Sequence, residues 1–511
     1  MRELRGLLSG ADHLTWETLA TRVAKAAGGL QRLGIGEGDT VAILMRNDAP
    51  FLEASLAALR RGAYAVPINW HFKEEEVAYV LKDSGASVLV VHADLWRRVR
   101  DAAAPGLSAL IVPTPPALCA AYGIADDEAR VPAGAVSWDD WVEAQAPSEV
   151  RAPPPCESMI YTSGTTGVPK GVRRFRPTPV ELAALQALRA RVYGFRPGMR
   201  ALIPGPLYHS APNAYALNAA RMGGLVALMP RFDAEAFLAL VERHRISHSF
   251  MVPTMFVRLL NLPERVRKHY DVSSLECVVH AAAPCPPEVK GAMIEWWSGA
   301  LVEFYGATET GPVTFCDSAE WRAHRGTVGR RVEGAVVKVL DDEGREVPQG
   351  REGELYVRVR AYPDFTYQNQ PDERRLIERE GLITVGDVGY FDRDGYLYLC
   401  DRKRDMIISG GVNVYPAEIE AAIHALPGVG DCAVFGIPDA EFGESVMAVI
   451  APAEGAVLRP EQVIAALATR LADYKLPRQV EIRNELPRED SGKIKKRALR
   501  DPYWEKTGRR I

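Results

Sequence analysis

Tyr161-Thr162-Ser163-Gly164-Thr165-Thr166-Gly167-Val168-Pro169-Lys170-Gly171 is the most telling run in the chain. Its small, hydroxylated residues and its glycines make a loop rich in N–H and O–H donors. Gly164 and Gly167 lack the Cβ atoms that would hold the backbone off a ligand, so the loop can wrap a polyphosphate closely. Lys170 adds a point charge for phosphate oxygens. The spacing differs from the common G-x-x-x-x-G-K-[ST] nucleotide loop. Ser, Thr and Gly also build ordinary surface turns, so the run has to be read with its surroundings.

Upstream, Thr40–Leu44, Ala63–Ile68 and Ser87–His92 read as strands, with helical periodicity at Pro50–Arg61 and Glu74–Lys82 between them. This βαβα rhythm predicts a parallel sheet with helices on its faces. Ala102–Pro155, rich in Pro and Ala, reads mainly as connections. Downstream a second series runs through Arg200–Ile203, Gly224–Met229, Ser249–Val252 and Cys277–Ala281, with helices such as Ala234–His244. The similar rhythm predicts two sheets packed as one body. From Ala335 the pattern changes to short strands and turns, Val336–Leu340 and Glu354–Val359, read as a small antiparallel barrel. After the charged Asp401–Asp405 segment, about 105 residues carry an α+β pattern of their own. Its helix is expected at Ala417–Ala425 and its strands at Cys432–Gly436 and Ser445–Ala451.

The 511 residues exceed what one core supports. With 47% hydrophobic and 25% charged residues the composition is that of a soluble globular protein. The net charge of -4 gives no long-range pull toward nucleic acid or anionic membrane. Seven scattered cysteines suggest neither a zinc site nor a disulfide framework and fit a reducing cytosol. No apolar run reaches the ~18 residues needed to span a bilayer, the start lacks a signal peptide's apolar core, and Gly-Arg-Arg-Ile is not a peroxisomal address. A cytoplasmic protein is expected.

Other runs complete a set. They are Pro206-Leu207-Tyr208-His209-Ser210-Ala211-Pro212, His280-Ala281-Ala282-Ala283-Pro284-Cys285, Val302-Glu303-Phe304-Tyr305-Gly306-Ala307-Thr308-Glu309-Thr310-Gly311 and Gly386-Asp387-Val388-Gly389-Tyr390 with Asp401-Arg402. Ser409-Gly410-Gly411-Val412 and Leu486-Pro487-Arg488-Glu489-Asp490-Ser491-Gly492-Lys493-Ile494 follow near the end. In this order and spacing, from about Leu14 to Arg500, the chain resembles the adenylate-forming superfamily: acyl-CoA synthetases, aryl-CoA ligases, luciferases and peptide-synthetase adenylation domains.

The resemblance implies an α/β fold: a large N-terminal domain, residues 1–401, made of two packed α/β subdomains plus a small β-barrel. A hinge at 402–405 joins it to a small mobile C-terminal α+β domain, residues 406–511. It implies that Thr162, Ser163, Gly164, Thr165, Thr166, Gly167 and Lys170 cradle the phosphates of ATP. Ala282, Ala283 and Pro284 would lie beside adenine, with Glu303, Phe304, Tyr305 and Gly306 in the same nucleotide site. Thr308 would contact the α-phosphate, and Glu309 would help hold Mg²⁺ against the phosphates. Asp387 would accept from the ribose hydroxyls, with Arg402 on the ribose or phosphate side. His209 would gate an acyl pocket shared with Ala211, Ala283, Gly306 and Pro312. Ser409, Gly410 and Gly411 would line the CoA channel, and Arg404 stands where the family hinge usually has Asp or Lys. Lys493 would be the mobile ammonium of the adenylation transition state, while Lys495, Lys496, Arg497 and Arg500 are assigned to the surface.

The chemistry needs these parts. A carboxylate is a poor acyl donor to a thiol, and its approach to the α-phosphate sets anion against anion, so positive charge and donors must be preorganised. The expected reactants are a carboxylic acid, ATP and CoA. The acid expected is medium-to-long-chain aliphatic or bulky alicyclic, and a homodimer is compatible with the resemblance. Pro212-Asn213-Ala214-Tyr215-Ala216-Leu217 lacks the Asp that pairs with an amino-acid substrate. A stand-alone acyl-AMP ligase loading a separate carrier protein is the alternative. A nucleotide-sensing scaffold ranks last, because it predicts loss of Lys493 or Glu309 and both are present.

Overall fold

The computed structural model describes residues 4–102, 105–148, 156–162, 169–403, 405–409, 412–439, 442–489 and 494–505. A five-stranded sheet runs in the order Tyr64–Pro67, Thr40–Leu44, Val88–His92, Ser108–Val112, Val136–Ser137, with every neighbouring pair parallel. The strands Thr40–Leu44 and Val88–His92 are buried along their length, the signature of a parallel sheet covered on both faces. The expectation of mere connections over Ala102–Pro155 needs correction. Ser108–Val112, Val136–Ser137 and the helices Pro116–Tyr122 and Trp138–Glu143 lie there. The prolines and alanines mask one short apolar strand, Ser-Ala-Leu-Ile-Val.

The second sheet has nine strands. From Leu301–Ala307 through Cys277–His280, His248–Met251, Arg200–Ile203 and Leu225–Leu228 to Gly6–Ser9 the pairs are parallel. Gly311–Asp317 and Arg330–Arg331 at one edge, and Asp12–Leu14 at the other, pair antiparallel. One continuous core holds Ile43 and Val90 of the first sheet with Ile203, Val279 and Phe304 of the second, so the two sheets are indeed one body. The other face of the larger sheet is covered by helices Ala234–His244, Pro253–Leu260 and Pro287–Trp296 around Phe237, Phe256, Met293 and Trp297.

Two further sheets complete the large unit. Ile160–Thr162, Lys170–Arg174 and Phe365–Tyr367 form an antiparallel set at the base of the glycine-rich loop. Ala335–Leu340, Gly353–Val359, Glu378–Arg379, Leu382–Ile383, Asp387–Phe391 and Leu397–Arg402 form an antiparallel six-stranded sheet. Where a barrel was expected, no pairing among the described residues joins the ends of this sheet. Beyond Arg402 lies a five-stranded sheet of Ile407–Ser409, Val412–Val414, Val429–Asp439, Gly443–Pro452 and Gln479–Ile482. Its alternation is regular: Cys432 and Val434 pack toward helices Pro416–His424 and Pro460–Ala468, and Ala433, Phe435 and Ile437 pack on the face that holds Leu499. These clusters are its own core.

Asn47, just after strand Thr40–Leu44, couples the two parallel sheets. Its Nδ2 donates to the Gly205 and Met229 carbonyls at 2.9 and 3.1 Å, and its Oδ1 accepts from the Leu207 N–H at 2.9 Å. The amide is buried, so truncation leaves several backbone groups unpaired and costs about 2–4 kcal/mol. Asn47→Ala is expected to lower the urea midpoint accordingly and to loosen the loop leading to His209. A midpoint unchanged from wild type would show that the loop holds its place without this amide.

Candidate active site

In open α/β sheets ligands bind beyond the carboxyl ends of the parallel strands. Strand Cys277–His280 ends in Ala281–Pro284, where Ala282 is held at φ 76°, a left-handed conformation that costs an L-residue roughly 1–2 kcal/mol. Ala282 and Pro284 are exposed and Ala283 half-buried. Strain of this kind, held in place by its surroundings, clusters at functional sites.

The neighbouring strand Leu301–Ala307 turns back into Gly311–Asp317, and Gly306 faces Gly311 so closely that a Cβ would sit 2.1 Å from the Gly311 carbonyl oxygen. Thr310 closes the turn: its Oγ1 accepts from the Ala307 N–H at 2.8 Å and its hydroxyl donates to the Gly311 carbonyl at 2.8 Å. This leaves Thr308 and Glu309 at the tip. Arg174, from the strand that follows the glycine-rich loop, donates to the Thr308 and Glu309 carbonyls at 2.7 and 3.1 Å. One buried guanidinium thus ties the base of that loop to the hairpin tip. The Tyr367 hydroxyl donates to Glu309 Oε1 at 3.1 Å, and burial pushes the Glu309 carboxyl above the usual glutamate range.

Asp387 begins strand Asp387–Phe391 and lies in register with Arg402 of Leu397–Arg402. Its Oδ2 accepts from the Tyr305 hydroxyl at 2.7 Å, and Arg402 Nε lies 3.4 Å from Oδ1. Burial first, and the Asp387 charge second, hold the Tyr305 phenol protonated as a donor. A carboxylate offers about four lone-pair sites, so Asp387 keeps room for a vicinal diol.

The remaining expected residues are placed as follows. Lys170 is buried with its Nζ 2.6 Å from Glu373 Oε2. Glu303 turns away from Phe304 and forms a buried ion pair with Lys290 of helix Pro287–Trp296; burial raises its carboxyl and Lys290 opposes that. His280 is fully buried, its ring held neutral by burial. Phe304 packs edge-on against Tyr193 at 5.5 Å and tilted against Phe250 at 6.3 Å, making an aromatic wall. His209 immediately precedes helix Ser210–Ala220, half-buried beside Tyr208, with Ala211 in the first turn; Pro312 is buried beyond the hairpin tip. Thr162 ends its strand, half-buried, and its hydroxyl donates to the Lys170 carbonyl at 3.5 Å. Ser409 pairs across to Gly443.

Ser163, Gly164, Thr165, Thr166, Gly167, Arg404, Gly410, Gly411 and Lys493 lie outside the described residues. The surface assignment of Lys496 and Arg500 is corrected: Lys496 is half-buried with Nζ 2.7 Å from Glu420 Oε1, and Arg500 is half-buried beside it in the fold. Arg174, Lys290, Tyr367 and Glu373 escaped the sequence reading. Arg174 alone had a local signal, as the second of two consecutive arginines close after Lys170.

The resemblance leads us to expect Mg²⁺ beside the phosphates of ATP. Glu309 fits that ion, because one carboxylate oxygen takes a single phenol bond while the group stays partly dehydrated, leaving acceptor sites for a hard cation. When bound, the ion would neutralise phosphate charge.

The carboxyl edge of the larger sheet thus gathers a strained turn, a hairpin-tip glutamate and the Asp387 carboxylate. The family model for AMP-binding enzymes matches residues 4–361, and that for the AMP-binding enzyme C-terminal domain matches residues 418–493. The chain belongs to this AMP-binding, adenylate-forming enzyme family. It is 34% identical to feruloyl-CoA synthase of an Amycolatopsis species, over 96% of this chain and 94% of that protein. It is 32% identical to the long-chain-fatty-acid–CoA ligase FadD13 of Mycobacterium tuberculosis (96% and 93% covered). It is 31% identical to the fatty acid–[acyl-carrier-protein] ligase ScoC of Streptomyces coeruleorubidus (98% and 93% covered). Among solved structures, ATP-bound MatB from Rhodopseudomonas palustris superposes with a TM-score of 0.84 at 28% identity, covering 98% of this chain and 95% of that one.

Ala282→Gly removes the left-handed strain but adds glycine's unfolded-state entropy, so a net stabilisation of about 0.5–1 kcal/mol is expected. Urea unfolding of the two proteins measures it; a variant less stable than wild type would contradict the strained reading.

Proposed function

We propose that the chain is an ATP-dependent carboxylic acid:CoA ligase that forms AMP, acting on a medium-to-long-chain or bulky alicyclic acid. The observation that carries this is the meeting of Tyr305, on the hairpin that presents Glu309, with Asp387 and Arg402 of the six-stranded sheet, all within hydrogen-bonding or ion-pair reach. Asp387 accepts from the ribose hydroxyls while Tyr305 and Arg402 hold its orientation. Ala282–Pro284 seat the adenine, and Thr308 donates to the α-phosphate. The acid enters past His209 along the wall of Phe304, Tyr193 and Phe250, which suits a bulky apolar tail.

A carboxylate oxygen attacks the α-phosphorus, the bond to the β-phosphate breaks, and pyrophosphate leaves. Lys493 supplies the ammonium that meets both anions in that step. The small domain then turns about residues 402–405, withdraws Lys493 and brings Ser409, Gly410 and Gly411 to the channel. The thiol sulfur attacks the acyl carbon, AMP leaves, and the thiol proton passes to solvent. Transfer to a separate carrier protein instead of CoA is the second reading, favoured by the likeness to ScoC.

Pyrophosphate release measured across a panel of aliphatic, alicyclic and aromatic acids, with and without CoA, tests the reading. Acid-dependent turnover that rises with CoA and yields a thioester is the expected result; acyl-AMP that accumulates and ignores CoA would move the chain to the carrier-loading reading. Lys493→Ala is expected to slow adenylation by at least about a hundredfold while largely sparing thioester formation from supplied acyl-AMP. Equal loss in both half-reactions would contradict that division.

A further inference from the structure

The lysine expected to meet phosphate already holds an anion. Lys170 is buried, and its Nζ lies 2.6 Å from Oε2 of Glu373, a charge-assisted hydrogen bond that cancels its charge in the structure. Among the described residues no other cation pairs with Glu373: Arg374 is held by Asp364 and Glu378 at 3.1 and 2.7 Å, and Arg375 by Asp372 at 2.7 Å. The segment carrying Glu373 is bound to the loop's own base. Phe365–Tyr367 pairs with Lys170–Arg174, and the Gln368 N–H donates to the Gly171 carbonyl at 2.8 Å. Gln370 Nε2 reaches the Tyr79 hydroxyl at 3.2 Å, and that hydroxyl donates to the Pro169 carbonyl at 3.1 Å. A carboxylate so fixed stays within reach of Lys170 when phosphate arrives.

Resting on the ligase reading above, we infer that Glu373 is an affinity-setting residue: it competes with the phosphates of ATP and pyrophosphate for Lys170, weakening both and favouring pyrophosphate departure. An ammonium has three donors, so Lys170 can keep Glu373 and take a phosphate oxygen, but it does so from a neutral pair and with a second anion nearby. The effect falls on binding of the polyphosphate, not on the carboxylate's attack, so it is read in affinity rather than in the chemical step.

The test compares wild type, Glu373→Gln, Lys170→Met and the double variant by calorimetric titration with Mg-ATP and with Mg-pyrophosphate, beside melting temperatures. Glu373→Gln is expected to bind both ligands about five- to tenfold more tightly, as for loss of one nearby charge, with the gain abolished in the Lys170→Met background. Unchanged affinity overturns the inference. So does weaker binding with a lowered melting temperature, which would make Glu373 a structural prop for Lys170, and so does a gain that survives Lys170→Met. Wild-type titration with ATP and acid-dependent pyrophosphate release judge the ligase reading separately, because neither depends on the ratio between variants.

Discussion

The contact between Asp387 and its two partners is the constraint on which the site turns. Tyr305 comes from the nine-stranded, mainly parallel sheet, Asp387 from the antiparallel six-stranded sheet, and Arg402 from the last strand before the C-terminal unit. One carboxylate at that junction holds both partners, and the phenol is kept protonated by burial and by the carboxylate itself. Rearranging either sheet, or the strand that leads into the small unit, therefore disturbs the same oxygen atoms. Under the proposed function, the ribose seat and the start of the proposed hinge at 402–405 would rest on a single hydrogen-bonded group.

The rest of the site is braced by charge in a similar way. Arg174 fastens the hairpin tip bearing Thr308 and Glu309 to the strand after the glycine-rich loop through two carbonyls. Lys290 and Glu303 pair beneath the same hairpin, where an unpaired partner would be costly because the surroundings are dehydrated. The site's outer surface is thus carried by short strand ends and turns, while its position is set by long-range ion pairs one layer down.

Local chemistry made much of this visible in the sequence. The glycines of the hairpin, the Gly-Asp turn at Asp387 and the buried runs of Thr40–Leu44 and Val88–His92 each act within a few residues, and each predicted its element. What stayed hidden depends on distance along the chain. Glu373 meets Lys170 across 203 residues, and Tyr367 meets Glu309 across 58. No periodicity reports such pairs. Lys496 looked like one of several solvated cations, because its partner Glu420 lies on another helix. The strand Ser108–Val112 was obscured by the prolines and alanines around it, and the expected barrel is an antiparallel sheet whose pairing depends on register rather than composition.

The most direct test of the account is the affinity for ATP against 2′,3′-dideoxy-ATP, measured in wild type and in Asp387→Asn. A site built to receive hydroxyls rejects an analogue that lacks them, because its acceptor is then left unpaired. The account predicts a preference for ATP of at least about tenfold in wild type, shrinking toward unity in Asp387→Asn with the fold intact. Equal affinity for the two nucleotides in wild type, or a preference that survives the substitution, would contradict it.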